Sequence, residues 1–275
     1  MRDFHAKHAV VTGGSSGIGL ATGRLLASRG ADVTIVARDR ERLEAACEVI
    51  AADRRDEGQR VAWVAADVAT CEDAANGIAE ATENGARPVD LLVNAAGVIL
   101  PGYFESMPYS YFEECMGSWW GCVNTCRAVV PSMIERRSGH IVNVSSGGGW
   151  IGVFGYTAYS SAKFAVMGFS EALRSELGPY GVRVSVVCPN DTDTPGLAHE
   201  RTLRPPETEE FASTLPPVAP DWVAKAIVRG VEQERFLINP GIVSKALRVL
   251  KENFPSVAFA IMDSDVKKAR AERGA

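Results

Sequence analysis

Thr12-Gly13-Gly14-Ser15-Ser16-Gly17-Ile18-Gly19 closes an apolar run, His8 to Thr12, and opens a stretch of helical periodicity, Gly17 to Ser28. Glycine lets a chain reverse tightly and lets an anion approach the backbone with no Cβ in the way. The helix that follows offers unpaired N–H groups and the positive end of its dipole. Strand, glycine-rich turn and helix in that order make a candidate pyrophosphate cradle of Gly13, Ser15, Ser16, Gly17, Ile18 and Gly19. The spacing departs from GxGxxG and no P-loop lysine follows, so a plain tight turn stays open as the alternative.

The same alternation continues down the chain. Asp32 to Ala37 reads as a second strand and Arg40 to Ala52 as a second helix. Arg60 to Ala65, Leu91 to Asn94, His140 to Ser145 and Arg183 to Cys188 read as further strands, with Phe236 to Asn239 a short seventh. These runs are almost continuously apolar, as expected of strands covered on both faces. The pattern predicts an α/β fold, a doubly wound parallel sheet of the Rossmann type, as one domain over residues 1–240. Such sheets bind ligands beyond the carboxyl ends of their strands, where the motifs of this chain fall.

Two stretches break the alternation. Residues 194–220 carry Pro195, Pro205, Pro206, Pro216, Pro217 and Pro220, which predicts a loop serving as a substrate lid, a linker being the alternative. Residues 241–275 predict a helical C-terminal extension, with amphipathic helices interrupted by Pro255. It would pack on the domain, form a dimer contact or touch lipid.

Composition narrows the function class. Of 275 residues, 46% are hydrophobic and 23% charged, enough for a large core, and a net charge of −5 argues against a nucleic-acid partner. The six cysteines form no CxxC pair and no histidine lies near Cys122 and Cys126, so reduced buried thiols are expected and a metal site is not. The N-terminus enters the first strand with no signal-peptide apolar region, and the best late apolar run, Val257 to Met262, is too short to cross a bilayer. The expectation is a cytoplasmic protein, with peripheral membrane contact left open.

The tip of the second strand selects the cofactor. Dinucleotide folds that take NAD place an acid there to bond the ribose 2′-hydroxyl. Here the tip reads Val36-Ala37-Arg38, and a guanidinium suits a 2′-phosphate instead. NADPH is the expected cofactor, although Asp39 contests the charge at once.

Taken together, Thr12-Gly13-x3-Gly17-Ile18-Gly19, Asp67-Val68, Asn94-Ala95-Ala96-Gly97, Ser145-Ser146, Tyr159-x3-Lys163 and Pro189 resemble the short-chain dehydrogenase/reductase family in order and spacing, over roughly residues 6–240. The resemblance implies that Ser146, Tyr159 and Lys163 are catalytic. It implies adenine contacts from Asp67 and Val68, help from Asn94 in holding the cofactor, and carboxamide contacts from Thr192 and Thr194. It also implies a homodimer or homotetramer formed through the helix carrying the tyrosine and its neighbour. Pro189-Asn190-Asp191-Thr192-Asp193-Thr194-Pro195-Gly196 is similar to a segment of the 3-ketodihydrosphingosine reductase subgroup, except that Asn190 replaces a proline. That subgroup reduces a long-chain amino ketone with NADPH. One position departs from the family: counting back from Gly121 puts Ser118 where most members have an asparagine that orders a water beside the lysine. A serine cannot reproduce both functions of an amide; a helix irregularity bringing Asn124 into use is the alternative.

The chemistry fits those residues. Ketone reduction needs a hydride and a proton, and a phenol with an ordinary pKa near ~10 can supply the proton. Lys163, one helical turn after Tyr159, shares its face, and its charge, with that of the nicotinamide ring in the oxidised cofactor, should lower the tyrosine pKa. The Ser146 hydroxyl can orient the carbonyl. Trp150, Ile151, Val153, Phe154, Tyr156, Leu197, Leu203 and Phe211 would line a groove for a lipophilic ketone or would be core and dimer contacts. Asp191, Asp193, Glu207, Glu209 and Glu210 would attract a substrate ammonium or serve as solvated, capping carboxylates. A 3-oxoacyl or steroid reductase, and a weakly catalytic NADP(H)-binding sensor, remain competing readings.

Overall fold

A computed structural model describes residues 1–212 and 216–271; for Phe211 and residues 242–244 it describes the backbone alone. Seven parallel strands form one sheet in the order β3-β2-β1-β4-β5-β6-β7. They are β1 (His8–Thr12), β2 (Asp32–Ala37), β3 (Val61–Ala65), β4 (Leu91–Asn94), β5 (Gly139–Val144), β6 (Val182–Val187) and β7 (Leu237–Ile238). The order reverses between β1 and β4, which pair Ala9 with Leu91 through Thr12 with Asn94. The crevice beyond that reversal is where a doubly wound sheet takes its ligand.

Side-chain alternation along each strand splits the core in two. Ala9, Val11, Val33 and Ile35 face α1 (Gly17–Ser28), α2 (Arg40–Ala52) and α8 (Pro220–Glu232), packing on Leu26, Leu43, Ile50 and Ile227. Val10, Val36, Leu92 and Ile141 face α3 (Cys71–Ala81), α4 (Tyr109–Glu135) and α5 (Thr157–Leu177), packing on Ile78, Val129, Met133 and Leu177. Burying each such aliphatic side chain contributes about 1.5–3 kcal/mol before conformational entropy is counted.

The proline-rich stretch differs from its expected loop form. It holds two short helices, α6 (Pro195–Arg201) and α7 (Pro206–Ala212), with residues 213–215 outside the described part. Pro195, Pro206 and Pro220 each stand at the first position of a helix, where the missing N–H has no intrahelical partner to lose and the fixed φ suits the helix. Thr192 bridges Val218, so the segment leaves and rejoins the sheet edge at one point. The last two helices are α9 (Ile242–Asn253) and α10 (Pro255–Ala271), and Pro255 again begins a helix. Residues 272–275 of the expected extension lie outside the described part. Of its three expected fates, packing on the domain is observed: Arg270 pairs with Glu207 at 3.0 Å and Lys268 with Glu210 at 2.5 Å, both on α7.

Candidate active site

The turn after β1 has the geometry of an anion cradle. Gly13 has φ +67°, and a Cβ there would lie 2.8 Å from the Ala95 backbone. A Cβ on Gly19 would drive into the Gly13 carbonyl. Ser16 caps α1 with extended backbone and no side-chain bond to the helix, so the first N–H groups of α1 keep no side-chain acceptor. Ser15, Ser16, Gly17 and Ile18 are all partly accessible. Thr194 stands across the turn, its Cγ2 2.9 Å from where a Cβ on Gly17 would be.

At the tip of β2, Arg38 is exposed. Asp39, its apparent competitor, is turned the other way: its carboxylate accepts from the Arg42 N–H at 3.1 Å and caps α2. At the end of β3, the Asp67 carboxylate accepts from the Ala69 N–H at 3.0 Å, while Val68 is buried. Asn124 donates to the carbonyls of Val68 and Ala69, each at 3.1 Å. It therefore ties α4 to that loop and is not available beside Lys163.

Asn94 is held by side chains from two neighbouring elements. Its amide donates to Asn143 Oδ1 at 2.9 Å and its oxygen accepts from Thr125 at 2.8 Å. A buried amide so satisfied fixes the ends of β4 and β5 against α4.

The three residues singled out for chemistry do meet. Ser146 follows β5 and accepts from the Gly148 N–H at 3.1 Å, and its hydroxyl is near enough to the Tyr159 phenol to favour the phenolate. Tyr159 and Lys163 project from one face of α5, 8% and 5% exposed, with Nζ 5.7 Å from the centre of the phenol ring. Ser145, the neighbour of Ser146, donates to the Lys163 carbonyl at 2.9 Å and anchors β5 to α5. Beyond β6, Thr192 donates to the Asn190 carbonyl at 2.9 Å, and Thr194 accepts from the Leu197 N–H at 3.1 Å, capping α6.

Burial pushes the Tyr159 phenol above its ordinary range; the Ser146 hydroxyl pulls it back, and Glu200, Asp191 and Cys115 push it further up. Burial likewise pulls the Lys163 ammonium below its ordinary value, against the buried thiols Cys122, Cys115 and Cys188. The ammonium donates to the Val144 carbonyl at 3.1 Å. In this protein alone, desolvation outweighs any lowering of Tyr159 by Lys163. Ser118 lies close by, 3.2 Å from where a Cβ on Gly97 would be, but its hydroxyl donates to the Cys115 carbonyl at 2.8 Å.

The apolar residues after Ser146 divide between two clusters. Trp150 and Ile151 pack with Val186 and Cys188 beneath Met262 of α10, whereas Tyr156 and Tyr159 pack with Leu100 and Cys115 against Leu203. The side chain of Phe211 is outside the described part.

The family described as short chain dehydrogenase matches this chain over residues 7–204, which contain Ser146, Tyr159, Lys163 and the turn after β1. The chain belongs to the short-chain dehydrogenase family. Among proteins of that family it is similar to the 3-ketodihydrosphingosine reductase of Bos taurus, 43% identical over 230 residues, 83% of this chain and 69% of that one. It is also similar to the 3-dehydrosphinganine reductase of Danio rerio, 41% identical over 85% of this chain and 70% of that one. Among solved structures it resembles the short-chain dehydrogenase from Sphingobium yanoikuyae in complex with NADPH, with a TM-score of 0.76 and 25% identity over 91% of this chain and 95% of that one.

Sequence reasoning missed a buried network above this short-chain dehydrogenase site. Arg204, its side chain 2% exposed, donates to Glu200 at 2.6 Å, to Asp191 at 2.6 Å and to Glu209 at 3.1 Å. The Tyr156 hydroxyl donates to the same Glu200 oxygen, and its ring lies 5.6 Å from that of Tyr159. The one signal in the sequence is the spacing of four from Glu200 to Arg204.

Proposed function

We propose that this chain is a ketone reductase that converts 3-ketodihydrosphingosine to dihydrosphingosine with NADPH, a step of sphingolipid synthesis. The observation that carries the reading is the 43% identity to a 3-ketodihydrosphingosine reductase across 83% of the chain. The grouping of partly exposed Ser146 with buried Tyr159 and Lys163 supports it.

The residues present fit the cofactor. The Gly13 and Gly19 positions have no room for a Cβ, and the α1 N-terminus is open to an anion. Gly13, Ser15, Ser16, Gly17, Ile18 and Gly19 would hold the pyrophosphate, and Arg38 the 2′-phosphate. Asp67 and Val68 would meet the adenine, Thr192 and Thr194 the carboxamide, and Tyr159 and Lys163 the ribose. Asn94 would contribute from beneath, by fixing β4. When bound, NADPH supplies the hydride.

The chain supplies the rest. Ser146 hydrogen-bonds the carbonyl oxygen and holds it beside Tyr159. Tyr159, kept protonated by its surroundings, gives its proton to that oxygen as negative charge develops there. The Lys163 ammonium stabilises the phenolate that results. Ser118 retains a hydroxyl near Lys163 for a water through which Tyr159 is reprotonated.

We take residues 1–240 as the catalytic unit, with residues 194–220 as its lid and α9–α10 as an extension upon it. A homodimer or homotetramer would form through α4 and α5, where Trp120 and Phe164 are exposed; light scattering at micromolar concentration tests this. No helix among the described residues is long and apolar enough to cross a membrane. A cytoplasmic enzyme touching a membrane surface is the finer reading, supported by exposed Phe254, Val257 and Ile261 and tested by flotation with liposomes.

The deciding experiment follows NADPH oxidation by the purified chain with 3-ketodihydrosphingosine in detergent micelles, with NADH and a 3-oxoacyl thioester alongside. Turnover of the sphingoid ketone with NADPH is expected. Turnover of the thioester alone overturns the substrate. Tight NADPH binding with turnover of neither returns the chain to a sensor.

A further inference from the structure

We infer that Asp191 binds the ammonium of the substrate headgroup, and that this contact selects an α-amino ketone over a plain ketone. The inference rests on the proposed substrate class and adds the residue that reads it.

The substrate fixes where such a group must be. Its ammonium sits on the carbon bonded to the carbonyl carbon. With the carbonyl oxygen on Ser146 and Tyr159, a partner carboxylate has to stand beside those two residues. Most acids of the region fail that condition. Glu207 is held between Tyr103 and Arg270, and Glu210 is paired with Lys268, both towards α10. Glu209 and Asp193 are exposed. Glu200 is close enough to act on Tyr159, but its side chain is 1% exposed and Oε1 takes both the Tyr156 hydroxyl and Arg204.

Asp191 meets the condition. The Gly147 N–H, next to Ser146, donates to the Pro189 carbonyl at 3.0 Å. Asp191 follows Pro189 by two residues, so its Cα lies within about 8 Å of the Cα of Pro189. The Asn190 oxygen between them stands 3.7 Å from where a Cβ on Gly147 would be. The side chain of Asp191 is 31% exposed, and Arg204 bonds its Oδ2. That bond fixes the carboxylate and leaves Oδ1 for a cation.

Charge points the same way. One buried guanidinium faces three carboxylates, buried Glu200, part-exposed Asp191 and exposed Glu209. An uncompensated buried charge is costly. An ammonium arriving at Asp191 reduces the excess, and it brings a positive charge next to Tyr159 as its phenolate forms. A ketone without the amine does neither.

The test compares kcat/KM for 3-ketodihydrosphingosine and for the same ketone lacking the amine, 1-hydroxyoctadecan-3-one, with NADPH in matched micelles. The wild type should prefer the amino ketone by about 10- to 100-fold, the scale of a charge-assisted contact. Asp191→Asn should abolish that preference by raising KM for the amino ketone while leaving the plain ketone within about threefold, since an amide oxygen still accepts from Arg204. Asp191→Glu should restore part of the preference. Equal use of both ketones by the wild type overturns the inference and leaves the proposed reduction standing. So does an equal loss on both ketones in Asp191→Asn and Asp191→Glu, the mark of a purely structural role. Failure of the wild type on both overturns the proposed function and this inference with it.

Discussion

Lys163 Nζ lies 5.7 Å from the centre of the Tyr159 ring, in a site where burial alone would drive the phenol far from ionisation. The nearby Ser146 hydroxyl favours the phenolate, yet the phenol stays above its ordinary range. Removing the phenol oxygen should therefore remove the proton donor with little change of shape. Tyr159→Phe is expected to lower kcat by about 10²- to 10⁴-fold, while the NADPH dissociation constant rises by no more than about tenfold, the loss of one ribose contact. Stopped-flow reduction together with fluorescence titration of NADPH separates the two effects. A variant that keeps wild-type turnover would remove Tyr159 from the mechanism.

Arg38 is exposed, and Asp39 beside it is engaged as the cap of α2. With the acid turned away, the guanidinium is free to face a 2′-phosphate. Arg38→Ser should weaken NADPH binding by about 10- to 100-fold, the value of a charge-assisted pair. NADH binding should stay the same, so the ratio of the two constants falls. Equal weakening of both cofactors would move the 2′-phosphate contact elsewhere.

The parts of this fold that were legible in the sequence are those fixed by local chemistry. Gly13 and Gly19 announce a turn because no other residue fits, and the buried strands announce themselves by unbroken apolar runs. Tyr159 and Lys163 were legible because one helical turn puts them on one face. The illegible parts depend on contacts distant in sequence. Arg204 and Glu200 read as charges in a proline-rich loop, yet they are buried because Asp191 and Tyr156 come to meet them. Pro195 and Pro206 read as breakers, although proline also begins helices. The acidity of Tyr159 could not be read from the nearness of Lys163, since desolvation is a property of the packed site.

His140, at the other end of β5, gives a prediction about stability. It is almost wholly buried, and its Nε2–H donates to Ser185 at 2.7 Å, the Ser185 hydroxyl donating in turn to the Arg235 carbonyl. Burial pulls its pKa down to about 3, assisted by the positive N-terminus and Arg183. Below about pH 6.5 the unfolded chain takes up a proton at this residue that the folded chain refuses. Its contribution to stability is therefore whole at neutral pH and falls as pH drops, by up to about 1.4 kcal/mol per unit, levelling off near the folded value. Urea unfolding at pH 7, 6 and 5 should show a smaller decline for His140→Gln than for the wild type. Parallel declines would assign the acid sensitivity to other groups.

Glu207 closes the outer side of the lid and links it to the last helix. Its carboxylate accepts from the Tyr103 hydroxyl and from Arg270 of α10, each at 3.0 Å. Burial raises its pKa, but a bond to its own backbone N–H, with those from Arg270 and Tyr103, more than offsets this and leaves the group below its ordinary value. Three segments, the loop after β4, α7 and α10, thus meet at one ion. Glu207→Ala leaves Tyr103 without its acceptor and Arg270 without its anion, a loss of about 1–3 kcal/mol for unmade buried bonds, reduced by the exposure of Arg270. Local opening should exceed global unfolding, because Glu207–Arg270 is one of two ion pairs tying α7 to α10. Hydrogen exchange over residues 255–271 should accelerate in Glu207→Ala while β1 and β4 stay protected. If α7 covers the acyl chain, KM for the lipid ketone should rise with kcat nearly unchanged, whereas exchange confined to α10 with an unaltered KM would make the clasp structural alone.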